Sequence, residues 1–122
     1  MTLIEVVKAI KAMFHGNGNP DAIPSLRGGM FKAELFEEGV KVLEPGGEYE
    51  IVWSEFQEAV DVMAKGLREA GFYITTVNGL PSFVVYGAQL GHPVYDKIAQ
   101  LIAILIWSGI CRLESGFLIL NV

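Results

Sequence analysis

Residues 93–120 read PVYDKIAQLIAILIWSGICRLESGFLIL, and this stretch decides the fold. Within residues 98–107 only Gln100 is polar, and the spacing predicts a helix that Gly109 ends. Two β-rich runs after Gly109, separated by a Glu-Ser-Gly turn, predict a terminal hairpin. A helix that is apolar on every side must be buried on every side, so the rest of the chain has to be arranged around it.

Upstream of this stretch, helix starts and β-rich runs alternate in a similar order. Two capping boxes predict where the other helices begin: Thr2 with Glu5 before residues 3–14, and Ser54 with Gln57 before residues 55–70. Runs bounded by turn residues predict the strands, at residues 30–35, 40–42, 49–53, 72–77, 80–86, 110–113 and 117–120. Asn78-Gly79 between two of these runs is a strong hairpin signal.

These elements predict an α+β fold, with three helices packed on an antiparallel sheet of six or seven strands built from hairpins. Residues 67–72 align with residues 105–110, so a repeated αββ unit is one interpretation and chance similarity is the other. A winged-helix-like arrangement is the alternative fold, because a helix, a glycine and a terminal hairpin resemble a recognition helix and its wing. A recognition helix must present polar side chains to bases, and the third helix has almost none.

The length of 122 residues predicts a single domain over 1–122, with a long loop rich in Gly, Pro and Asn at residues 15–29. The single cysteine, Cys111, excludes a disulfide framework and multi-cysteine zinc patterns, and we expect it to be buried and inert. No metal site, cofactor or catalytic residue is predicted. The longest uncharged apolar stretch spans 13 residues, 98–110, whereas a membrane span needs about 20. With no secretory leader pattern, we expect a cytoplasmic protein without membrane contact.

Hydrophobic side chains make up 52% of the chain, which is high for so small a domain. Self-association as a homodimer is the first explanation, a ligand cavity is the second and membrane contact is the third. For the third helix itself, burial at the centre of the monomer is the alternative to an interface or to insertion into a membrane. If the helix is an interface, the candidate contact residues are Tyr95, Leu101, Leu105 and Trp107, with the two aromatic side chains as anchors.

Charge is strongly segregated along the chain, whose net charge is −5. Residues 34–61 contain nine acidic side chains and one basic one, Lys41. A field of one sign attracts partners of the other sign, so a basic protein or a hydrophobic cation is the expected partner and nucleic acid is not. The candidate partner-binding residues are Glu37, Glu38, Glu44, Glu48 and Glu50.

Three functions remain open on this evidence. The leading hypothesis is a non-enzymatic, self-associating interaction or regulatory module whose acidic face binds a basic protein. The second is a binder of a small apolar or cationic ligand in a pocket beside the third helix. The third is an enzyme that uses an unrecognised carboxylate site, with Glu48, Glu50 and Asp61 as candidates.

Overall fold

A computed structural model of the chain describes residues 1–16, 22–25, 29–44, 47–64, 73–77, 80–85, 88–89, 92–114 and 117–121. The helices in these residues are α1 (Leu3–Gly16), α2 (Trp53–Ala64) and α3 (His92–Trp107). The strands are β1 (Ile23–Pro24), β2 (Met30–Phe36), β3 (Gly39–Glu44), β4 (Gly47–Val52), β5 (Tyr73–Val77), β6 (Leu80–Val85), β7 (Ala88–Gln89), β8 (Cys111–Glu114) and β9 (Phe117–Leu120).

The predicted α+β class is confirmed, and every described strand pair is antiparallel. The strands form two sheets where the sequence predicts one. The first sheet has the order β1-β2-β3-β4 and the second has the order β7-β6-β5-β9-β8. Hydrophobic periodicity reveals which runs are strands, but it does not say which hairpins join the same sheet, so the division could not be foreseen.

Helix α3 accounts for the division into two sheets. It contacts β1 and β4 of the first sheet, β6 and β8 of the second, and both other helices. Residues 100–105 are all buried, with no more than 5% of any side chain exposed. The apolar side chains of residues 101–105 are therefore covered within the monomer, as the central-helix interpretation expects and unlike the exposed helix of a winged-helix arrangement.

Helix α1 begins at the predicted capping box. The amide of Thr2 donates to Oε1 of Glu5 at 2.9 Å, and the amide of Glu5 donates to Oγ1 of Thr2 at 3.3 Å. Hydrogen bonds to the Glu5 carboxyl from the backbone amide of Thr2 and from its side chain lower the pKa of that carboxyl from its usual value. The helix buries Val6, Ile10 and Phe14 against the rest of the core.

The capping box predicted for the second helix is wrong. Helix α2 begins at Trp53, earlier than expected, and the carboxylate of Glu55 accepts the amide hydrogen of Val52 at 3.2 Å. The side-chain amide of Gln57 donates instead to the carbonyl of Met1 at 3.0 Å. The predicted continuation of this helix to residue 70 and the glycine after it lie outside the described residues.

The end of α3 follows the prediction. Gly109 has a φ of 76°, and its amide donates to the carbonyl of Ile106 at 3.0 Å. The amide of Ile110 donates to the carbonyl of Leu105, also at 3.0 Å. This pair of bonds is the Schellman motif, which needs a residue in the left-handed region and therefore favours glycine.

The hairpins predicted from residues 72–86 and from residues 110–120 are both confirmed by the strand registers. Val77 pairs with Leu80, and Glu114 pairs with Phe117, so each hairpin has a two-residue connection. In the segment 15–29, predicted to be a loop, strand β1 pairs with the start of β2. Residues 17–21 and 26–28 of that segment lie outside the described part, as do residues 67–72 of the proposed repeat.

Candidate functional site

The first sheet has a face turned away from the helices, which we call the outer sheet face. Strand alternation produces it, because Val40 and Val42 are buried on one side of β3 and Lys41 lies on the other. The outer sheet face comprises Lys32, Glu34, Phe36, Lys41, Leu43, Glu48, Glu50 and Val52. It carries three carboxylates, two amines and three half-exposed apolar side chains.

Lys41 sits in the middle of the carboxylates on this face. Its Nζ lies 4.0 Å from Oε1 of Glu34 and 4.0 Å from Oε2 of Glu48, and the register places it directly opposite Glu50. Lys41 thus pairs with two carboxylates, and a third lies across from it on β4. Because Glu34 and Glu48 are exposed, each ion pair contributes little to stability. The three carboxylates outnumber the two amines of the outer sheet face, so its charge is negative.

Strand β4 is the edge of the first sheet among the strands that the structure describes. Its Ile51 side chain is buried towards the core, whereas Glu48 and Glu50 are exposed. An edge strand has backbone donors and acceptors without a strand partner, and charged side chains along it discourage unspecific pairing. We call this strand with its two carboxylates the acidic edge.

The turn between β2 and β3 carries two further predicted residues, Glu37 and Glu38, both exposed. Trp53 fixes the turn: its indole N–H donates to the Glu37 carbonyl at 3.0 Å, and its amide donates to the Glu38 carbonyl at 2.9 Å. Gly39 is required next, because a Cβ there would overlap the carbonyl oxygen of Ile51. The carboxylates of the turn therefore stand at a fixed place near the acidic edge.

Glu44 is separated from the other four predicted acidic residues. It shares the core side of β3 with Val40 and Val42 and is half-buried, and its Oε1 accepts a hydrogen bond from the side-chain amide of Gln100. The hydroxyl of Ser25 donates to Oε1 of Gln100 at 3.3 Å. The alternation along β3 was visible in the sequence and could have assigned Glu44 to this side, whereas its partner Gln100 could not be foreseen.

The other acidic residues of the segment are on α2 or near it. Glu55 caps the helix, Glu58 is exposed, and Oδ1 of Asp61 accepts a hydrogen bond from Gln57 at 2.7 Å. Asp61, the third carboxylate of the enzyme hypothesis, is thus on a helix, whereas Glu48 and Glu50 are on the acidic edge. The acidic stretch of sequence is divided among three surroundings, so it does not form one continuous face.

The predicted self-association residues on α3 are mostly inside the monomer. Leu101 and Leu105 are buried, with 5% and 0% of their surface exposed. Trp107 is half-buried and packs edge-on against Phe14, with ring centroids 5.2 Å apart. The side chain of Tyr95 lies outside the described part of the structure. Leu101 and Leu105 therefore offer no surface to a second copy.

Sequence reasoning missed the outward face of α1. No candidate residue was placed on this helix, yet 46% of Leu3 and 79% of Ile4 are exposed. A shallow groove of about 560 Å³ runs along this face, lined by Leu3, Ile4, Val7, Lys8, Lys11, Ala12 and His15. The spacing i, i+4, i+7, i+11 of Ile4, Lys8, Lys11 and His15 was the available signal.

Cys111 is buried and unpaired, as predicted. Burial raises the pKa of its thiol to about 12, so the nucleophilic thiolate is scarce near neutral pH. Within the described residues, no three His, Cys, Asp or Glu side chains are grouped so that they could hold a metal ion. No helix in that part of the chain is long and apolar enough to cross a membrane.

The chain matches no protein-family model, no curated protein and no solved structure in comparisons with each.

Proposed function

We propose that the protein is a self-associating, non-enzymatic interaction module that binds a basic segment of another protein along the acidic edge. The observation that carries this proposal is the coincidence of two features on one strand. β4 is an end strand of the first sheet among the described strands, and its outward side chains Glu48 and Glu50 are both exposed carboxylates.

An extended segment can add to such an edge through backbone hydrogen bonds, which supply affinity without regard to sequence. Carboxylates at alternate positions then select lysine or arginine at alternate positions of the incoming strand, because strand side chains alternate between the two faces.

A cytoplasmic location is part of the proposal. Its single cysteine, Cys111, is a buried free thiol, which is compatible with a reducing compartment. Self-association remains part of the proposal, although Leu101 and Leu105 do not provide its surface.

A synthetic peptide of alternating lysine and valine tests the acidic edge. We expect the double variant Glu48→Gln, Glu50→Gln to weaken peptide binding about fivefold, because two exposed ion pairs contribute roughly 1 kcal/mol together. The affinity of the unaltered protein should also fall as salt is raised from about 0.05 to 0.5 M, since the Debye length shortens. Isothermal titration calorimetry measures both effects.

The matched control is the double variant Glu58→Gln, Glu114→Gln, which changes the net charge equally but alters exposed residues elsewhere. We expect its affinity for the peptide to stay within about twofold of the unaltered protein. Equal weakening by both double variants would show that the peptide senses only net charge, and the proposed binding edge would then be rejected.

A further inference from the structure

The outward face of α1 combines exposed apolar and basic side chains. Ile4, Lys8 and Lys11 follow the spacing i, i+4, i+7, so they lie along one side of the helix, and all three are exposed. Ile4 is the most exposed large apolar side chain among the described residues, with 79% of its surface in contact with solvent. An apolar cluster beside two amines is a surface that a partner with acidic and apolar groups would cover.

An acidic surface adjoins this basic one in the same chain. The Nζ of Lys11 lies 5.9 Å from the centre of the Trp53 ring, and the indole N–H of Trp53 donates to the Glu37 carbonyl. The exposed residues Glu37 and Glu38 therefore belong to the turn that Trp53 holds, beside the ring that Lys11 approaches. We call the surface formed by Ile4, Lys8, Lys11, Trp53, Glu37 and Glu38 the bipolar patch.

We propose that the bipolar patch is the interface of a two-fold symmetric dimer of this chain. A two-fold rotation about an axis near Trp53 places the basic half of one copy on the acidic half of the other, and the reverse contact follows by symmetry. Each copy thus supplies both members of the charge pairing, and Ile4 is removed from water at the ends of the interface. An anionic membrane fits this surface poorly, because Glu37 and Glu38 would repel it beside the lysines that attract it.

This inference rests on the self-association in the proposed function and names the surface responsible for it. It also assigns different carboxylates to the two contacts. Glu37 and Glu38 serve the second copy, whereas Glu48 and Glu50 remain on the acidic edge for the basic partner.

Reversal of charge on each half of the patch provides the test. The first variant is Lys8→Glu, Lys11→Glu, and the second is Glu37→Lys, Glu38→Lys. Either variant alone places like charges together in both contacts, so we expect its dimer dissociation constant to rise at least about tenfold. An equimolar mixture of the two variants restores opposite charges in both contacts and should recover the dimer. Sedimentation equilibrium gives the mass, with the dimer at twice the 13.3 kDa of one chain.

Recovery of the dimer in the mixture excludes misfolding as the cause of dissociation in the single variants, because unfolded chains would not pair. Ile4→Ser should also weaken the dimer, whereas Met30→Ser, a matched change at an exposed apolar residue on β2, should leave it intact. A charge-reversed variant that still dimerises, or a mixture that stays monomeric, would overturn the bipolar patch as the interface. A monomeric unaltered protein would overturn the dimer and would also remove self-association from the proposed function. Peptide binding by the acidic edge is measured with other variants, so that part of the proposed function is tested separately.

Discussion

Gln100 and Glu44 form a polar contact in an otherwise apolar interior. Gln100 is almost fully buried on α3, and its amide group bonds to Glu44 on β3 and to Ser25 after β1. Buried polar groups are costly unless they are hydrogen-bonded, and this side chain uses both its oxygen and its nitrogen. The contact therefore fixes the position of α3 relative to two separate parts of the first sheet.

The buried thiol of Cys111 predicts how the free energy of unfolding depends on pH. Its pKa is raised to about 12 in the folded protein, above the value of 9.0 expected for an accessible thiol. The folded state thus holds this proton more tightly than the unfolded state, so the stabilisation is complete below pH 9 and is lost as the pH rises towards 12. Between pH 8 and 10.5 the free energy of unfolding should fall by about 2 kcal/mol more in the unaltered protein than in Cys111→Ala.

Urea denaturation of both proteins at the two pH values measures this difference. Lysine and tyrosine titrations are common to both proteins, so they cancel in the comparison, as does the cost of the substitution itself. Equal pH dependence in the two proteins would mean that the thiol is hydrated in the native state.

At the scale of the element, the helix ends show which predictions are local. The Thr2–Glu5 box and the stop at Gly109 were predicted because each depends on residues three to five positions apart. The Ser54–Gln57 box obeyed the same pattern but did not form, because the helix begins at Trp53 and the carboxylate of Glu55 accepts the amide hydrogen of Val52. The side-chain amide of Gln57 donates to the carbonyl of Met1, a contact between distant parts of the chain that no local pattern contains.

The Schellman motif at the end of α3 predicts the effect of replacing Gly109. A Cβ at this position meets no atom within 4 Å, so the cost of alanine comes from the positive φ alone. We expect Gly109→Ala to lower the free energy of unfolding by about 1 to 2 kcal/mol and Gly109→Asn to lower it less, since asparagine tolerates the left-handed region.

The control is Gly16→Ala at the end of α1, where φ is not positive and space is also open. That change should be neutral or slightly stabilising, because alanine reduces the freedom of the unfolded chain. Chemical denaturation measures the free energy of unfolding of Gly109→Ala, Gly109→Asn and Gly16→Ala. An equal loss of stability in Gly109→Ala and Gly16→Ala would refute the assigned role of Gly109.

At the scale of the whole molecule, the central position of α3 between two sheets organises the structure. The sequence was sufficient to show that this helix needed cover on all sides, since Gln100 is the only polar residue from 98 to 107. It was not sufficient to show whether sheets or a second copy provided the cover, because both remove the same apolar surface from water. For the same reason, Leu101 and Leu105 were candidates for an interface, whereas the exposed Leu3 and Ile4 were not.

This arrangement predicts where the structure is most stable. Amides of residues 102–105 in α3 should exchange with solvent only through global unfolding, so their opening free energy should equal the value from denaturation. Amides in the first turns of α1, beside the exposed Leu3 and Ile4, should exchange through smaller openings. Hydrogen exchange followed by mass spectrometry or NMR measures both, and faster exchange in α3 than in α1 would contradict the central position of α3.

Strand β9 lies between β5 and β8 in the second sheet, although it follows every other described strand in the chain. The ribosome adds about 5 to 20 residues per second, and α3 leaves it before β8 and β9 do. For that interval, the most apolar of the described helices is outside the exit tunnel while its partner strand β8 is still inside. The first sheet and the β5–β6 hairpin are synthesised earlier, and hairpins form within microseconds, so these elements cover α3 first and its contact with β8 forms last.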